Sequence, residues 1–314
     1  MVPYIHIPDV PIGSLKLHPF GILVATGVVL GTWITMKRAR ARGVDTEELN
    51  SFITWMLVAG FLGGHMLDQI FYHPDELVMR PWSLFMLWEG LSSFGGFIGS
   101  TLGVLLWKYY EAVPVISLGF LGTIHSFRRR KKPRPILPLA DLMMSVFPVA
   151  WIFGRSGCSV VHDHPGATAP ANFPLAVGYP LHNPPTPDTK IWFIELSHGP
   201  ILRYDLGLLE LSFTIVLSAF VVLTWKRKLP TGSYLAVASL AYAPVRFVMD
   251  FFRIKEGSSA DPRYGALTPA QYACIGLFGL GLWMVKLSMD NAKKAREGKD
   301  PLDAYLLDSY RRRA

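Results

Sequence analysis

Three arginines and three carboxylates stand in stretches of this chain that are otherwise apolar. Arg155 falls in GRSGC, Glu210 lies one turn into an apolar run, and Arg246, Asp250 and Arg253 close YAPVRFVMDFFR. Spacings of four and then three put those last three on one helical stripe. His65 and Asp68, three residues apart, share one face of another run. A charge at membrane depth costs about 2.5–3.5 kcal/mol by insertion scales, so such groups are expected to face a cavity or a partner. Any one arginine near the end of a span could simply snorkel to the interface. The set comes from four separate runs and gathers at one level, which favours a polar cavity over scattered interfacial residues. Guanidinium forks match phosphate geometry, so the expected ligand is an anionic lipid headgroup. Gly63, Gly64, the GGFIG from Gly95 and the GRSG from Gly154 would let the surrounding helices approach closely.

Composition says what must carry these groups. Of 314 residues, 51% are apolar and only 17% charged, and the mean hydropathy is +0.30. That excludes a cytosolic globule and a disordered chain, and the 2 cysteines, Cys158 and Cys274, exclude a disulfide scaffold. The expected fold is an all-α integral membrane protein of about seven transmembrane helices, with a periplasmic-side polar cavity and a long periplasmic loop. Six runs approach the roughly 20 residues a crossing needs: Phe20 to Met36, Leu49 to Phe71, Trp82 to Trp107, Leu206 to Trp225, Ser233 to Phe251 and Leu267 to Leu287. A shorter seventh, Ile136 to Phe153, carries Asp141 near its start.

The clusters Lys37 to Arg42, Arg128 to Arg134, Lys226 to Lys228 and Lys286 onward hold 21 of the 31 basic residues, and seven spans put all four on one side. Lys and Arg resist translocation, so that side is the cytoplasm, with the N-terminus periplasmic and the C-terminus cytoplasmic. The same clustering accounts for the net charge of +8 without nucleic acid. Val113 to Phe127 is expected as an interfacial helix or an extension of span three. Residues 1–288 form the membrane domain, with an irregular periplasmic loop over about 154–203, and 289–314 a charged cytoplasmic tail, solvated or surface-lying. The first 17 residues, with Pro3, Pro8 and Pro11, are not expected to act as a signal peptide.

Around these charged residues the sequence resembles the bacterial prolipoprotein diacylglyceryl transferases, from about Pro11 to Leu287. GRSGCSVVHDHPG, from Gly154 to Gly166, is similar to the family's GRxGNFxNxExxG, and YAPVRFVMDFFR, from Tyr242 to Arg253, to YGxxRFxxExxR. WEGLSSFGGFIG (Trp88 to Gly99), HPFG (His18 to Gly21) and Asp141 in PLADL match more weakly. The resemblance implies an enzyme of the bacterial inner membrane. It would move the diacylglyceryl group of phosphatidylglycerol to the lipobox cysteine thiol of a prolipoprotein signal peptide and release glycerol phosphate. By motif position Arg155 and Arg246 would neutralise the leaving phosphate. Arg253, Asp250 and Tyr242 would orient them or the glycerol hydroxyls, Asp163 and Gly166 would shape the loop over the headgroup, and Glu210 would support an arginine. No cofactor and no metal are implied.

The chain departs from the pattern at Phe94, where the family has histidine, at Cys158 and Val161, where it has asparagines, at Phe20, and at Asp163 and Asp250, where it has glutamates. Without that histidine, His162 and His164 of the HDH stretch and His65 are the candidate bases for the acceptor thiol. A zinc site from HDH with Cys158 or His182 lacks a four-ligand spacing. Three further readings stand beside the transferase: a noncatalytic protein that binds anionic phospholipid, a paralogue with another acceptor, and a secondary transporter. The last is weakened by the odd span count and the lack of repeats.

Overall fold

The computed structural model describes residues 1–13, 15–86, 90–117, 123–182, 185–255 and 263–306. The chain forms two compact units. The first comprises residues 1–35 and 140–302, and the second residues 36–139 and 303–314.

The first unit combines apolar helices with a sheet. Its helices are α1 (Pro19–Ala41, which ends in the second unit), α5 (Leu137–Met144), α6 (Phe147–Val161), α7 (Leu206–Leu223), α8 (Ser233–Met249) and α9 (Pro269–Arg296). Between α5 and α6 the chain bends by 54°, just before Pro148 on the first turn of α6; proline has no N–H to continue the preceding helix. Asp141 on α5 is buried and accepts hydrogen bonds from the Tyr234 and Leu235 backbone N–H groups at 2.9 and 3.0 Å. An acid within an apolar helix is thereby spent on the positive N-terminus of α8.

The segment expected as an irregular loop instead begins with the end of α6 and then contributes five short strands to a sheet. Strands β6 (Pro165–Thr168), β7 (Ala176–Tyr179), β8 (Thr189–Ile191), β9 (Ile194–Ser197) and β10 (Ile201–Asp205) join β1 (Val2–His6) in the order β6-β10-β7-β1-β9-β8. Only β1 and β7 run parallel. The short runs between eight prolines conceal strands because each needs just three to five residues and finds partners far away in sequence. A hairpin of β2 (Val10–Ile12) and β3 (Leu15–Leu17) precedes α1.

In the second unit α2 (Thr46–Tyr72) packs along α4 (Ser93–Tyr109), with α3 (Pro74–Met79) and a 3-10 turn over Pro81–Phe85 between them. The predicted glycines carry this contact: a Cβ on Gly63 would fall 2.7 Å from Gly99 Cα, and one on Gly99 2.2 Å from the Ala59 carbonyl oxygen. Span three, expected from Trp82, starts as a helix only at Ser93, because Ser92 caps it by accepting from the Gly95 N–H. Leu87, Trp88 and Glu89 lie outside the described residues, as does the Phe94 side chain. The described parts of the segment expected as an interfacial helix or an extension of span three, residues 113–117 and 123–127, are strand, and 118–122 lie outside the described residues. Strands β4 (Tyr110–Ser117) and β5 (Thr123–Arg129) pair antiparallel there, and Glu111 binds Arg128 and Arg130 at 2.7 and 3.1 Å. The tail is packed rather than solvated at Tyr305, which is buried and donates its hydroxyl to Glu48 at 2.9 Å.

Among the described residues four helices are long and apolar enough to cross a membrane, α1, α7, α8 with its 3-10 extension, and α9, and the bent α5–α6 pair makes a fifth. Helix α4 has 17 residues, about 25 Å at 1.5 Å per residue, short of a roughly 30 Å hydrocarbon core. Helix α2, though 27 residues long, is diluted by Asn50, Ser51, Thr54 and His65.

Candidate functional site

The first unit brings most of the sequence-predicted residues together. Arg155 lies on the penultimate turns of α6, Glu210 on the first turns of α7, Tyr242 and Arg246 on α8, and Asp250 in the 3-10 turn (Asp250–Phe252) that ends α8. Close helix approach makes this possible: a Cβ on Gly207 of α7 would sit 2.9 Å from the Cys158 backbone, and one on Gly157 of α6 2.9 Å from the Phe20 ring.

Two buried carboxylates organise three guanidinium groups. Glu210, 5% exposed, has Arg155 Nε at 2.9 Å and Arg246 Nε at 4.0 Å, and accepts the Tyr242 hydroxyl at 2.7 Å. Asp250, 1% exposed, accepts from Arg246 Nη1 at 2.9 Å and from the Thr268 hydroxyl, with Arg253 Nε at 2.9 Å. The arginine side chains are 14 to 19% exposed. Three positive charges face two negative ones, so the cluster keeps an excess positive charge. Arg155 Nε meets Glu210 as an ion pair rather than a hydrogen bond, and this buried N–H has no aligned acceptor among the described residues. The Arg155 guanidinium also lies over the Trp151 ring, 4.7 Å from its centroid, and its Nη1 is 3.7 Å from Cys158 Sγ.

The segment after α6 closes one side. Gly166 forms a β-bridge with Arg253, and a Cβ there would fall 2.7 Å from the Tyr204 and 2.8 Å from the Phe252 carbonyl oxygens; only glycine permits that approach. Asp163 and His164 pair with each other at 2.5 Å. Beyond Arg253 an open cavity of about 430 Å³ is lined by Arg203, Tyr204, Phe251, Phe252 and Lys255, with Ala167, Thr168 and Ile254, but not by Arg155 or Arg246.

The three candidate histidines separate sharply. His65, fully buried in the second unit, has Nε2 3.0 Å from the Ser83 carbonyl and Nδ1 3.3 Å from that of Gly90. His162 ends α6 in the left-handed region with φ of 50°. Its Nδ1 pairs with Asp205, its Nε2 lies 3.1 Å from the Ile5 carbonyl, and its ring stacks on Tyr4 with centroids 3.7 Å apart. Both rings therefore have protein partners at their two nitrogens, backbone carbonyls for His65 and Asp205 with a backbone carbonyl for His162. His164 alone of the three sits beside the Arg155–Cys158 pair, since its ring reaches within 4.8 Å of both Cys158 Sγ and Asp163.

Asp205 escaped the sequence reading. It caps α7 through the Leu208 N–H at 2.8 Å, accepts the Tyr179 hydroxyl at 2.9 Å and pairs with His162. An acid directly before an apolar run is an N-cap signal that could have revealed it. Burial and Asp205 together push the Tyr179 phenol well above its ordinary pKa, and Tyr4 is raised for the same reasons.

Helices long and apolar enough to cross a membrane, with arginines and carboxylates clustered among them, define the class as a polytopic membrane protein. Comparison with known proteins is narrower. The family model described as prolipoprotein diacylglyceryl transferase matches residues 9–121 and 116–287, and the chain belongs to that family. It is 26% identical over 280 residues to the phosphatidylglycerol–prolipoprotein diacylglyceryl transferase of Nitratidesulfovibrio vulgaris, covering 88% of this chain and 91% of that protein. The Agrobacterium fabrum protein of the same name is 25% identical (90% and 92% covered), and that of Pseudomonas putida 26% identical (91% and 95% covered).

Proposed function

We propose that this protein transfers the diacylglyceryl group of phosphatidylglycerol to the lipobox cysteine thiol of a prolipoprotein. The observation that carries the proposal is the excess positive charge of the Arg155–Glu210–Arg246–Asp250–Arg253 cluster, three guanidinium groups held by two buried carboxylates. A lipid phosphate supplies the negative charge that balances the cluster and accepts from guanidinium N–H groups. In the reaction the thiol sulfur attacks the glycerol carbon that carries the phosphate ester. The thiol gives up its proton to solvent, a C–S bond forms, the C–O bond breaks, and glycerol phosphate leaves with the electron pair. Arg155 and Arg246 stabilise the charge that grows on the departing oxygen. Tyr242 and Glu210 position Arg155, and Asp250 holds Arg246 and Arg253 in register. Asp163 and Gly166 shape the segment above them, and His164 serves the acceptor thiol.

The protein lies in the bacterial inner membrane with seven spans, α2 and α4 completing the five helices above, the N-terminus periplasmic and the C-terminus cytoplasmic. Residues 1–288 are the membrane domain, the polar cavity faces the periplasm, and 289–314 is the cytoplasmic tail. The basic clusters support this orientation. Reporter fusions after Trp107, Arg134 and Lys228 then read cytoplasmic, and fusions near Asp75 or Thr186 periplasmic. A periplasmic reading at Arg134 sinks the topology.

A second reading, a noncatalytic protein that binds anionic phospholipid, is favoured by Phe94 and Cys158, neither of which can act as the family's residues at those positions do. Purified protein incubated with acyl-labelled phosphatidylglycerol and a lipobox peptide separates the two. Label on the peptide supports the transferase; retained lipid with an unlabelled peptide supports the rival.

A further inference from the structure

Cys158, Asp163 and His164 converge. Their ligand atoms all lie within 4.8 Å of one another. Cys158, on the last turn but one of α6, is buried and forms no disulfide. The left-handed turn at His162 reverses the chain, so that the two residues after it come back over the sulfur. His162 is fixed in that turn by Asp205 and the Ile5 carbonyl. The convergence thus rests on a buried structural anchor rather than on a loose loop.

A thiolate, a carboxylate and an imidazole are the donor set of a borderline-soft dication. Tetrahedral coordination with bonds of about 2.0–2.3 Å puts donors about 3.3–3.6 Å apart, so side-chain rotations that bring both groups to the sulfur exchange the Asp163–His164 hydrogen bond, 2.5 Å, for two bonds to the metal. The two anionic donors cancel a dication's charge, which lets the site lie beside Arg155, whose Nη1 is 3.7 Å from the sulfur. Three protein ligands leave one position open, the arrangement of zinc sites that act on a substrate rather than hold structure.

We propose that Cys158, Asp163 and His164 bind a zinc ion whose open position takes the thiol of the acceptor cysteine. This rests on the transferase reading and specifies how that thiol is activated. Coordination deprotonates a thiol outright; the proton passes to solvent, and the zinc-bound thiolate remains as the nucleophile. It attacks the phosphate-bearing glycerol carbon, the C–S bond forms as the C–O bond breaks, and the leaving glycerol phosphate takes up a proton from water. Zinc neither gains nor loses electrons. The chain thereby dispenses with a proton-accepting side chain at position 94, where phenylalanine stands. It also explains why sulfur at position 158, carboxylate at 163 and imidazole at 164 occur together, which a simple headgroup pocket does not require.

The test uses the full-length protein in detergent. It is stripped with a chelator and reloaded with zinc or cobalt(II), and bound metal is counted after gel filtration. The expected result is one metal per chain and, with cobalt, a sulfur-to-metal charge-transfer band. Cys158→Ser should abolish the band, and His164→Ala should weaken zinc retention at least about tenfold. A lipobox peptide should intensify the cobalt band, whereas the same peptide with serine for cysteine should not. Parent protein that retains no zinc, or the same cobalt spectrum in Cys158→Ser, overturns the site. Circular dichroism on each variant distinguishes lost ligands from lost fold, and the count on the parent protein decides the matter even where a variant fails to fold. The transfer assay keeps the two proposals apart: full label transfer by stripped protein overturns the zinc role and leaves the transferase standing. A peptide-dependent cobalt spectrum without any label transfer upholds the metal site and refutes the transferase.

Discussion

Replacing Arg155 with lysine isolates what the guanidinium contributes beyond its charge. Arg155 meets Glu210 through Nε at 2.9 Å, reaches Cys158 Sγ through Nη1 at 3.7 Å and lies 4.7 Å from the centroid of the Trp151 ring. Lysine keeps one positive charge and can still approach Glu210, but one ammonium cannot span Glu210 and a phosphate as a planar fork does. The loss is therefore at least one charge-assisted hydrogen bond to the departing phosphate, about 1.5–3 kcal/mol. At 1.36 kcal/mol per factor of ten, kcat/KM for transfer falls about 10- to 150-fold. Because the buried Glu210 keeps a cationic neighbour, the amount and thermal stability of the protein change little. Arg155→Ala differs on that second axis. It leaves Glu210, at 5% exposure, with Arg246 4.0 Å away as its nearest guanidinium, and breaking such a buried pair costs about 3–5 kcal/mol. The assay is the initial rate of label transfer from phosphatidylglycerol to a lipobox peptide, normalised to folded protein by fluorescence-detected gel filtration. Transfer by Arg155→Lys within about twofold of the parent would refute the proposed phosphate contact.

His162→Ala removes the ion pair to Asp205 and the stack on Tyr4, so folded yield and melting temperature fall by the equivalent of about 3–5 kcal/mol. The rate per folded molecule stays within a few fold of the parent, and a large rate loss in protein of normal stability would return His162 to the chemistry. Burial and Asp205 hold the Tyr179 phenol protonated above its ordinary range, whereas in the unfolded chain it ionises near 10. The folded state thus keeps a proton that the unfolded state loses, and stability is constant below about pH 10 and declines above it. Tyr179→Phe should flatten that alkaline decline in a circular-dichroism titration. Gly99→Ala places a methyl 2.2 Å from the Ala59 carbonyl oxygen and should force α2 and α4 apart at a cost of about 1–3 kcal/mol, read as a lowered melting temperature in detergent.

The cluster was legible because its members break a strong local rule. A run such as Tyr242 to Arg253 is apolar except at Arg246, Asp250 and Arg253, and helical spacing alone stacks those three. The glycines of α2 and α4 were legible for the same reason, since GG and GGFIG have few uses besides close packing. The sheet was hidden because pairing is long-range: β1, from residues 2–6, sits between β7 and β9, nearly two hundred residues on. The pairing of β4 with β5 was hidden because the apolar stretch Ala112–Ile116 in β4 fits a short helix as well, and β5, TIHSFRR, shows neither an apolar run nor a clean alternation. The surroundings of the histidines were not legible because sequence gives neighbours along the chain only. His162 and His164 are two residues apart, yet the left-handed turn buries one against Asp205 and brings the other to Cys158. Asp163 and His164 come to the sulfur through that same turn, which no spacing rule anticipates.

The central claim, that the arginine cluster supports diacylglyceryl transfer and not merely lipid binding, is tested most directly with doubly labelled phosphatidylglycerol. One label lies in the acyl chains and the other in the headgroup glycerol, and the purified protein is incubated with this lipid and a lipobox peptide. The account predicts acyl label on the peptide and headgroup label in water-soluble glycerol phosphate in equal amounts, both lost when the peptide's cysteine is serine. Lipid that stays bound with both labels intact, or headgroup released without any label on the peptide, would contradict it.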